Sequence, residues 1–342
     1  MLKVLIIANA KKTKGGITSV LNTWEKMPFW KKYHCRWVET QINSSIWKKL
    51  YYLISSYIKS VFLIPSYNII HFHTTPGIST IVQMPIFLLS IIFRKKIIIQ
   101  LHVGNQLIDF KDSRTFRFVL KHADKTIVLA NVWKNVLINN FKEAHSVHVL
   151  YNPAPCVKVT SNEKRDNLVF YGAYLADNKG YDILIKAFSK VAKVHPNWKL
   201  LIAAAGDTGK AEIIIKECKA ENNIDLVQWL TPQQMEEQYA RAKIYCIASY
   251  KEGFPMSALE CWSHGTPLVT TPVGGLVDVI KNRENAMVFS FGSEDELEKC
   301  LLDLIDDEEL WHRLSVGSTQ LVREFFGQNR INVDIENIYE SL

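Results

Sequence analysis

The chain has 342 residues, 48% of them hydrophobic and 22% charged, so it can bury the cores of roughly two domains. Its six cysteines form no CxxC pair and no cluster with histidine at metal-ligand spacing, which excludes a disulfide framework and favours a reducing cytoplasm. The formal charge of +7 is unevenly divided, since residues 1–160 hold 22 Lys and Arg against 6 Asp and Glu, whereas residues 161–342 hold 19 against 28.

The first apolar run, Val4 to Ala8, is too short for the core of a signal peptide and leads into Lys11 and Lys12. We therefore predict a first β-strand and no secretion. A later apolar stretch at 84–93 contains Pro85 and is far below the ~20 residues that a membrane-spanning helix needs. We expect a cytoplasmic protein without a spanning segment.

Strand-like and helix-like patterns alternate along the chain, which predicts an α/β protein with parallel sheets and crossover helices. The strands of a first sheet are predicted at 2–8, 69–72, 97–101, 126–129 and 148–150. The strands of a second sheet are predicted at 168–171, 199–204, 226–229, 244–247, 268–270 and 286–289.

The boundary between the two halves is expected where regular pairing is prevented. Asn152-Pro153-Ala154-Pro155 is followed by a polar stretch at 160–167, and prolines and charges disfavour strands there. We place the two domains at 1–160 and 161–342. A last helix at about 330–341 is expected to pack back on the first domain.

Residues 46–61 predict an amphipathic helix, because Ile46, Leu50, Ile54, Ile58 and Val61 recur at helical spacing. Residues suited to an anionic membrane surface lie on or beside this face: Trp47, Lys48, Lys49 and Lys59. The basic half suits nucleic acid as well, but its interleaved aromatic residues favour membrane, so no nucleic-acid partner is expected. A core helix with a solvated polar face fits the same pattern.

Ligands of parallel sheets bind at the carboxyl ends of strands, so the turns after each strand are the places to inspect. After the first strand comes Lys14-Gly15-Gly16, whose backbone amides are able to approach a diphosphate at the start of a helix. A flexible turn before a helix explains the two glycines equally well.

The segment from Glu252 to Glu260, EGFPMSALE, follows a predicted strand and opens a helix. Backbone amides from Gly253 onward are able to bind phosphate oxygens. Two carboxylates beside a diphosphate would be repelled by it, so they suit neutral hydroxyls, as of a sugar and a ribose. An alternative is structural: Ser257 and Glu260 also match a capping box.

The same segment carries a family resemblance. EGFPMSALE is followed by a turn of small residues before a strand and by Gly274-Gly275, and together they strongly resemble the donor site of the retaining glycosyltransferases of family 4. The resemblance extends over nearly the whole chain. Its other parts are Gly15-Gly16 as a phosphate loop, His71-Phe72-His73 and His102-Val103-Gly104 after strands, Asn152-Pro153 as hinge, and Tyr171-Gly172 through Lys179-Gly180 as a second phosphate loop.

The resemblance implies a GT-B fold, in which two Rossmann-like domains face each other across a cleft. The first would bind the acceptor and the second the nucleotide-sugar donor, with no metal and no further cofactor. The implied donor-binding residues are Gly15, Gly16, Gly172, Lys179, Gly253, Phe254, Pro255, Glu260 and Gly274.

Three residues have implied roles in the reaction. Glu252 would hold hydroxyls of the transferred sugar, and Lys179 would neutralise the leaving diphosphate. His102 would line the reacting centre from the first domain, although a hydrogen-bonded histidine at a strand end is the structural alternative. Glu260 would hold the ribose. We expect His71 and His73 to be structural, with strand alternation directing only one of them toward the cleft.

One departure from the family pattern concerns the diphosphate. The family usually has an arginine directly after the glycine at 172, and here that residue is Ala173. One of two phosphate cations is therefore missing, which is expected to slow transfer by roughly one to two orders of magnitude unless another cation substitutes.

These observations predict a metal-independent retaining glycosyltransferase of bacterial surface-polysaccharide synthesis. Its donor is a UDP- or GDP-sugar, its acceptor a saccharide or polyprenyl-linked saccharide, and its location the inner face of the cell membrane. A weakly catalytic donor-binding subunit, motivated by Ala173, and a sugar-nucleotide epimerase of the same fold remain as alternatives.

Overall fold

The computed structural model describes residues 2–13 and 15–342, with Asn105 described by its backbone alone. Lys14 of the glycine turn lies outside the described residues. The chain divides into two compact units, one ending at Pro153 and joined by Gln328–Leu342, the other comprising Ala154–Gly327. The division precedes residue 160 because Ala154 N–H donates to Phe326 O and Lys158 N–H donates to Ser263 O, both within the second unit.

The first unit is built on a parallel sheet of six strands in the order β2-β1-β3-β4-β5-β6. The strands are β1 (Val4–Ala8), β2 (Arg36–Glu39), β3 (Ile69–Thr74), β4 (Lys96–Leu101), β5 (Lys125–Val128) and β6 (Val147–Val149). The helices between them are α1 (Gly16–Trp24), α2 (Pro28–Lys32), α3 (Ile46–Leu63), α4 (Ile78–Ile92), α5 (Arg114–His122) and α6 (Asn131–Asn140).

The second unit holds another parallel sheet of six strands, ordered β12-β11-β10-β7-β8-β9. The strands are β7 (Asp166–Tyr174), β8 (Lys199–Ala205), β9 (Ile224–Gln228), β10 (Ala242–Ile247), β11 (Leu268–Thr270) and β12 (Met287–Val288). The helices are α7 (Tyr181–Val194), α8 (Gly209–Glu217), α9 (Pro232–Arg241), α10 (Met256–Ser263), α11 (Glu294–Asp306) and α12 (Glu308–Leu321). From the centre of the sheet outward, the strands follow the order β7, β8, β9 on one side and β10, β11, β12 on the other. This is the Rossmann strand order.

Every predicted strand is present, with bounds that differ by a few residues, and the α/β class with two Rossmann-like units is confirmed. The strand missed by the sequence is β2, which lies at the edge of the first sheet. Only Val38 of its four residues is buried, so β2 carries little apolar pattern.

The last helix, α13 (Gln328–Glu340), belongs to the first unit. Asn332 Oδ1 accepts a hydrogen bond of 2.8 Å from Phe29 N–H, and Tyr339 lies 2.9 Å from His71 Nδ1 through its hydroxyl. Tyr339 is fully buried, so the end of the chain completes the core of the unit in which the chain begins.

Helix α3 exposes its apolar face and buries polar residues, which is the reverse of a core helix. Its apolar side chains are exposed, with Trp47 at 77% and Phe62 at 77%, whereas its buried residues are Ser56 and Ser60. The interpretation of α3 as a core helix with a solvated polar face is therefore wrong.

Helix α4 shows the same inversion, which its sequence alone did not reveal. Its exposed apolar face is formed by Ile78, Ile81, Leu88 and Ile92. The buried face includes the polar side chains of Ser79, Thr80, Gln83 and Ser90. Tyr57 of α3 donates a hydrogen bond of 2.9 Å to Val82 O, so the two helices lie side by side. No helix in the described part of the chain is long and apolar enough to cross a membrane.

Candidate functional site

The candidate site of the second unit lies where its strand order reverses. Strands β7 and β10 are neighbours at the position where the strand order reverses, which is where parallel α/β sheets bind their ligands. Lys179 lies in the turn after β7, and Glu252 lies in the turn after β10. The two predicted residues are thus brought to one place, although 73 positions separate them in the chain.

Lys179 and Glu252 form a direct ion pair. Lys179 Nζ donates to Glu252 Oε1 at 2.6 Å, and the two side chains are 23% and 20% exposed. Each is shielded enough to be held in place yet reachable from solvent. The backbone of the lysine turn is also fixed, since Tyr171 Oη donates to Lys179 O at 3.0 Å and Tyr250 N–H donates to Asn178 O at 2.8 Å.

Two glycines allow the turns to meet. Gly180 has φ +67°, and a Cβ there would lie 2.2 Å from Ala248 O of the β10 turn. Gly274, after β11, has φ +59°, and a Cβ would lie 2.7 Å from both Glu252 O and Gly253 O. Gly275 N–H donates to Gly253 O at 2.8 Å. Side chains at 180 and 274 would therefore displace the backbone that carries Glu252.

Glu260 lies inside helix α10, and it does not cap that helix. The helix begins at Met256 after Pro255, without a side-chain cap, so the capping-box interpretation of Ser257 and Glu260 is wrong. Instead Glu260 Oε2 accepts a hydrogen bond of 2.9 Å from Tyr239 Oη. Burial raises the pKa of Glu260, and the bond from Tyr239 opposes that rise. Such a carboxylate is suited to accept hydrogen bonds from ligand hydroxyls.

The remaining predicted donor-binding residues of this unit differ in what they present. The Phe254 side chain is buried against Phe326, with ring centroids 5.3 Å apart, and Pro255 is buried at the start of α10. Only their backbones are available to a ligand. Gly172 lies in β7, where an added Cβ would meet Met235 Cε at 2.8 Å.

Ala173 follows Gly172 and packs, half-buried, against the hydrophobic core of the second unit. A second cation nevertheless lies near the lysine turn. Lys210 Nζ, from α8, lies 2.7 Å from Asp177 Oδ1, and both side chains are mostly exposed.

The glycine turn of the first unit leads directly into α1. Gly15 precedes the helix with φ 153° and no side-chain cap, and Gly16 is its first residue. An added Cβ at either position would meet no atom of the described residues within 4 Å, so packing against those residues does not require either glycine. The space beside both backbones is open to a ligand.

His102 follows β4 and contacts a histidine of the neighbouring strand. His102 Nε2 lies 2.8 Å from His73 Nδ1, with the rings stacked at 5.1 Å. His71 and His73 are both fully buried on one face of β3, with ring centroids 4.5 Å apart. The expectation that alternation separates them was wrong, because residues two apart on a strand share a face.

All three histidines are held neutral. Burial lowers the pKa of His71 and of His102 to about 3. Burial also lowers the pKa of His73, and the neighbouring His71 and His102 lower it further. Among the residues that the structure describes, no group of three or more His, Cys, Asp or Glu is arranged to hold a metal ion.

The sequence analysis did not identify two residues that support the candidate site of the second unit. Tyr239 binds Glu260, and Arg165 donates to Tyr239 O at 3.1 Å, to Ala242 O at 2.8 Å and to Thr266 Oγ1 at 2.8 Å. Arg165 thereby fixes the end of α9 beside the turn of small residues before β11. No local motif marks either residue, because their partners are distant in sequence.

Comparison with known proteins shows which family the second unit resembles. Residues 157–320 match the family described as Glycosyl transferases group 1 and lie within that unit. An uncharacterized glycosyltransferase of Methanocaldococcus jannaschii is 27% identical over 252 residues, covering 72% of this chain and 68% of the relative. Mannosylfructose-phosphate synthase of Agrobacterium fabrum is 26% identical over 230 residues, covering 61% of this chain and 51% of the relative. The chain thus spans between about half and two thirds of these curated relatives.

Solved structures resemble the whole chain. Anabaena Alr3699/HepE in complex with UDP-glucose superposes with a TM-score of 0.80 at 18% identity, with both chains covered completely at 100%. Sucrose-phosphate synthase from Thermosynechococcus elongatus gives a TM-score of 0.81 at 15% identity, covering 99% of this chain and 98% of the other. At such identities the likeness concerns the fold, and it confirms the predicted GT-B class.

Proposed function

We propose that this chain, whose residues 157–320 match the family described as Glycosyl transferases group 1, is a retaining enzyme that moves a sugar from a UDP- or GDP-linked donor to a lipid-linked saccharide. The observation that carries the proposal is the Lys179–Glu252 pair at the switch point of the second sheet. That position is where α/β sheets bind nucleotides, and the pair supplies one cation and one hydroxyl acceptor.

The two side chains divide the donor between them. Lys179 meets the diphosphate, on which negative charge builds as the sugar leaves, and a preorganised cation stabilises that charge most in the transition state. Glu252 is repelled by phosphate and therefore binds hydroxyls of the sugar. Glu260, held by Tyr239 at 2.9 Å, accepts hydrogen bonds from the ribose.

The reaction proposed here needs no protein nucleophile. The acceptor hydroxyl attacks the anomeric carbon from the face that the diphosphate leaves, and the bond from that carbon to the phosphate oxygen breaks. The acceptor proton passes to the leaving phosphate. The products are a glycoside of unchanged anomeric configuration and a nucleoside diphosphate.

A donor panel tests this function. Purified protein is incubated with UDP- and GDP-sugars, with and without a polyprenyl-linked acceptor, and UDP-glucose is a natural first choice because the similar Anabaena protein binds it. We expect acceptor-dependent transfer that EDTA does not abolish. Acceptor-free isomerisation would indicate an epimerase, binding without turnover would indicate an accessory subunit, and activity restored only by manganese would contradict metal independence.

We also propose that the first unit docks on the inner face of the cell membrane through α3 and α4. The inverted burial of both helices supports this, because most apolar residues of α3 and four of α4 are exposed while Ser56, Ser60 and Ser90 are buried. Lys48, Lys49 and Lys59 lie exposed on α3, with Trp47 beside them. Lipid is the partner that accepts exposed apolar and basic side chains together.

The charge of the docking surface favours anionic lipid in particular. Between Glu39 and Asp109 the sequence contains no acidic residue, whereas α3 and the turn at 94–96 supply bases. Each basic side chain near an anionic surface contributes about 1 kcal/mol of attraction. Membrane docking would bring the first unit to a polyprenyl-linked acceptor, which fits a role in surface-polysaccharide synthesis.

A further inference from the structure

The buried histidines of the first unit form a connected group behind His102. His73 lies on β3 with its side chain fully buried, and His102 is partly exposed at the carboxyl end of β4. The bond between His73 Nδ1 and His102 Nε2, at 2.8 Å, joins the inner ring to the outer one. His102 is the only one of the two that solvent or a ligand is able to reach.

A hydrogen bond between two neutral imidazoles constrains both tautomers. Each neutral ring carries one N–H and one lone pair, so one of the two nitrogens in this bond must donate and the other must accept. Burial lowers the pKa of His102 to about 3 and lowers that of His73 as well, so both rings are neutral at pH 7. In one arrangement the outer nitrogen of His102 carries a proton and donates a hydrogen bond. In the other arrangement it carries a lone pair and accepts one.

The surroundings of His73 distinguish the arrangements. Among residues 2–13 and 15–342, its buried Nε2 has no hydrogen-bond partner. If Nε2 carried the proton, a donor would be buried unpaired, which native proteins avoid more strictly than an unpaired acceptor. The unpaired state of Nε2 therefore favours a lone pair there and the proton on Nδ1.

We propose that His73 is a positioning residue, which donates from Nδ1 to Nε2 of His102 and so holds His102 in the tautomer that carries its proton on the outer nitrogen, Nδ1. The inference rests on the proposed function for its effect on transfer, but not for the tautomer itself. His102 then presents an N–H donor, suited to a sugar hydroxyl or to developing negative charge. It offers no lone pair there, so it does not act as a general base.

The chain offers a matched set of variants. Asparagine at 73 is able to place an amide N–H near the position of Nδ1, whereas leucine removes the donor. His71 is the control, because it is equally buried on the same face of β3 and its Nδ1 lies 2.9 Å from Tyr339 Oη rather than near His102. The variants to compare are His73→Asn, His73→Leu and His71→Leu, each checked for cooperative unfolding.

Two measurements test the proposal, kcat for transfer and the ¹⁵N spectrum that reports which nitrogen of His102 is protonated. We expect Nδ1–H on His102 in the wild type and in His73→Asn, and a shift toward Nε2–H in His73→Leu. The kcat of His73→Leu is expected to fall at least tenfold with donor KM little changed, while His73→Asn and His71→Leu stay within about threefold of wild type.

A wild-type spectrum with Nε2–H on His102 overturns the proposal whatever the variants do, and so does a His73→Leu protein with unchanged tautomer and kcat. Equal losses of kcat in His71→Leu and His73→Leu would mean that both residues act only through packing, and this result would also overturn the proposal. If the wild type transfers no sugar, the proposed function fails while the spectrum still decides the tautomer.

Discussion

Lys179 and Glu252 are the residues on which the proposed donor site most depends. Their types and neighbouring glycines were identified from the sequence, because the turn after each strand carries a local motif. Their 2.6 Å contact was not, since no local pattern records which distant turns meet. The same limit explains why Tyr239, which binds Glu260 from another helix, was missed.

We expect Lys179→Ala and Glu252→Gln each to lower kcat/KM for transfer at least tenfold, because each removes a charge or an acceptor at the reacting centre. The control is Lys186→Ala, which removes an exposed lysine of the same unit from α7. Steady-state kinetics with a saturating acceptor gives the comparison. Wild-type kinetics in both site variants would remove these residues from the site.

Glu260→Gln is expected to act on donor binding rather than on the chemical step. A hydrogen bond to a charged group contributes about 1.5–3 kcal/mol, so losing the charge should raise the donor dissociation constant roughly tenfold or more. Calorimetric titration with the nucleoside diphosphate alone should show most of this loss, because the ribose is retained. Unchanged affinity for the diphosphate would contradict a ribose contact.

At the scale of elements, α3 shows what periodicity does and does not predict. The spacing of Ile46, Leu50 and Ile54 indicated an amphipathic helix correctly, but spacing cannot tell which face is buried. The buried face is the one that carries Ser56 and Ser60, which pack against the rest of the first unit. In α4, every residue is uncharged, so the sequence offered no polar face to recognise.

Vesicle sedimentation separates the contributions of the two helices. Charge reversal of Lys48, Lys49 and Lys59 to glutamate should reduce binding to anionic vesicles mainly at low salt, because the Debye length shrinks from about 10 Å at 0.1 M to about 3 Å at 1 M. The pair Ile81→Asn and Ile92→Asn should reduce the binding that persists in high salt.

The matched control reverses Lys186, Lys193 and Lys216 to glutamate, since these are exposed lysines of the second unit. It should sediment like wild type. Undiminished sedimentation of both the α3 and the α4 variants would show that this surface is not the membrane contact.

The buried histidines of β3 should make the first unit sensitive to mild acid. Their pKa values are lowered in the folded state, to about 3 for His71, while the unfolded chain takes up protons below about 6.5. The unfolded state therefore binds more protons between these values, and stability falls as pH drops through that window, by about 1.4 kcal/mol per pH unit per histidine at most.

Thermal unfolding between pH 7 and pH 5 measures this dependence. Glu143 and Glu340, which have lowered pKa values, contribute only near or below pH 4.5, and the raised pKa of Glu260 is common to wild type and His71→Leu, so the difference between the two proteins isolates His71. The melting temperature of His71→Leu should fall less over the range than that of wild type. An equal fall in both proteins would mean that His71 is protonated without cost in the folded state.

At the scale of the whole molecule, strand and helix alternation predicted two parallel α/β units, and both sheets are parallel with doubly wound strand orders, of which the second is the Rossmann order. The last helix returns to the first unit, and the division between units lies at Pro153 rather than at 160. Composition marked the proline-rich segment but not its end, because the hydrogen bonds of Ala154 and Lys158 depend on residues far along the chain.

The central claim is that Lys179 and its neighbours transfer a sugar with retention of configuration. The most direct measurement is proton NMR of the anomeric signal during transfer from a nucleotide-sugar of defined configuration, with wild type and Lys179→Ala side by side. The wild type should form a product with the donor's configuration, and Lys179→Ala should form it at least tenfold more slowly. A product of inverted configuration, or equal rates in the two proteins, would contradict the claim.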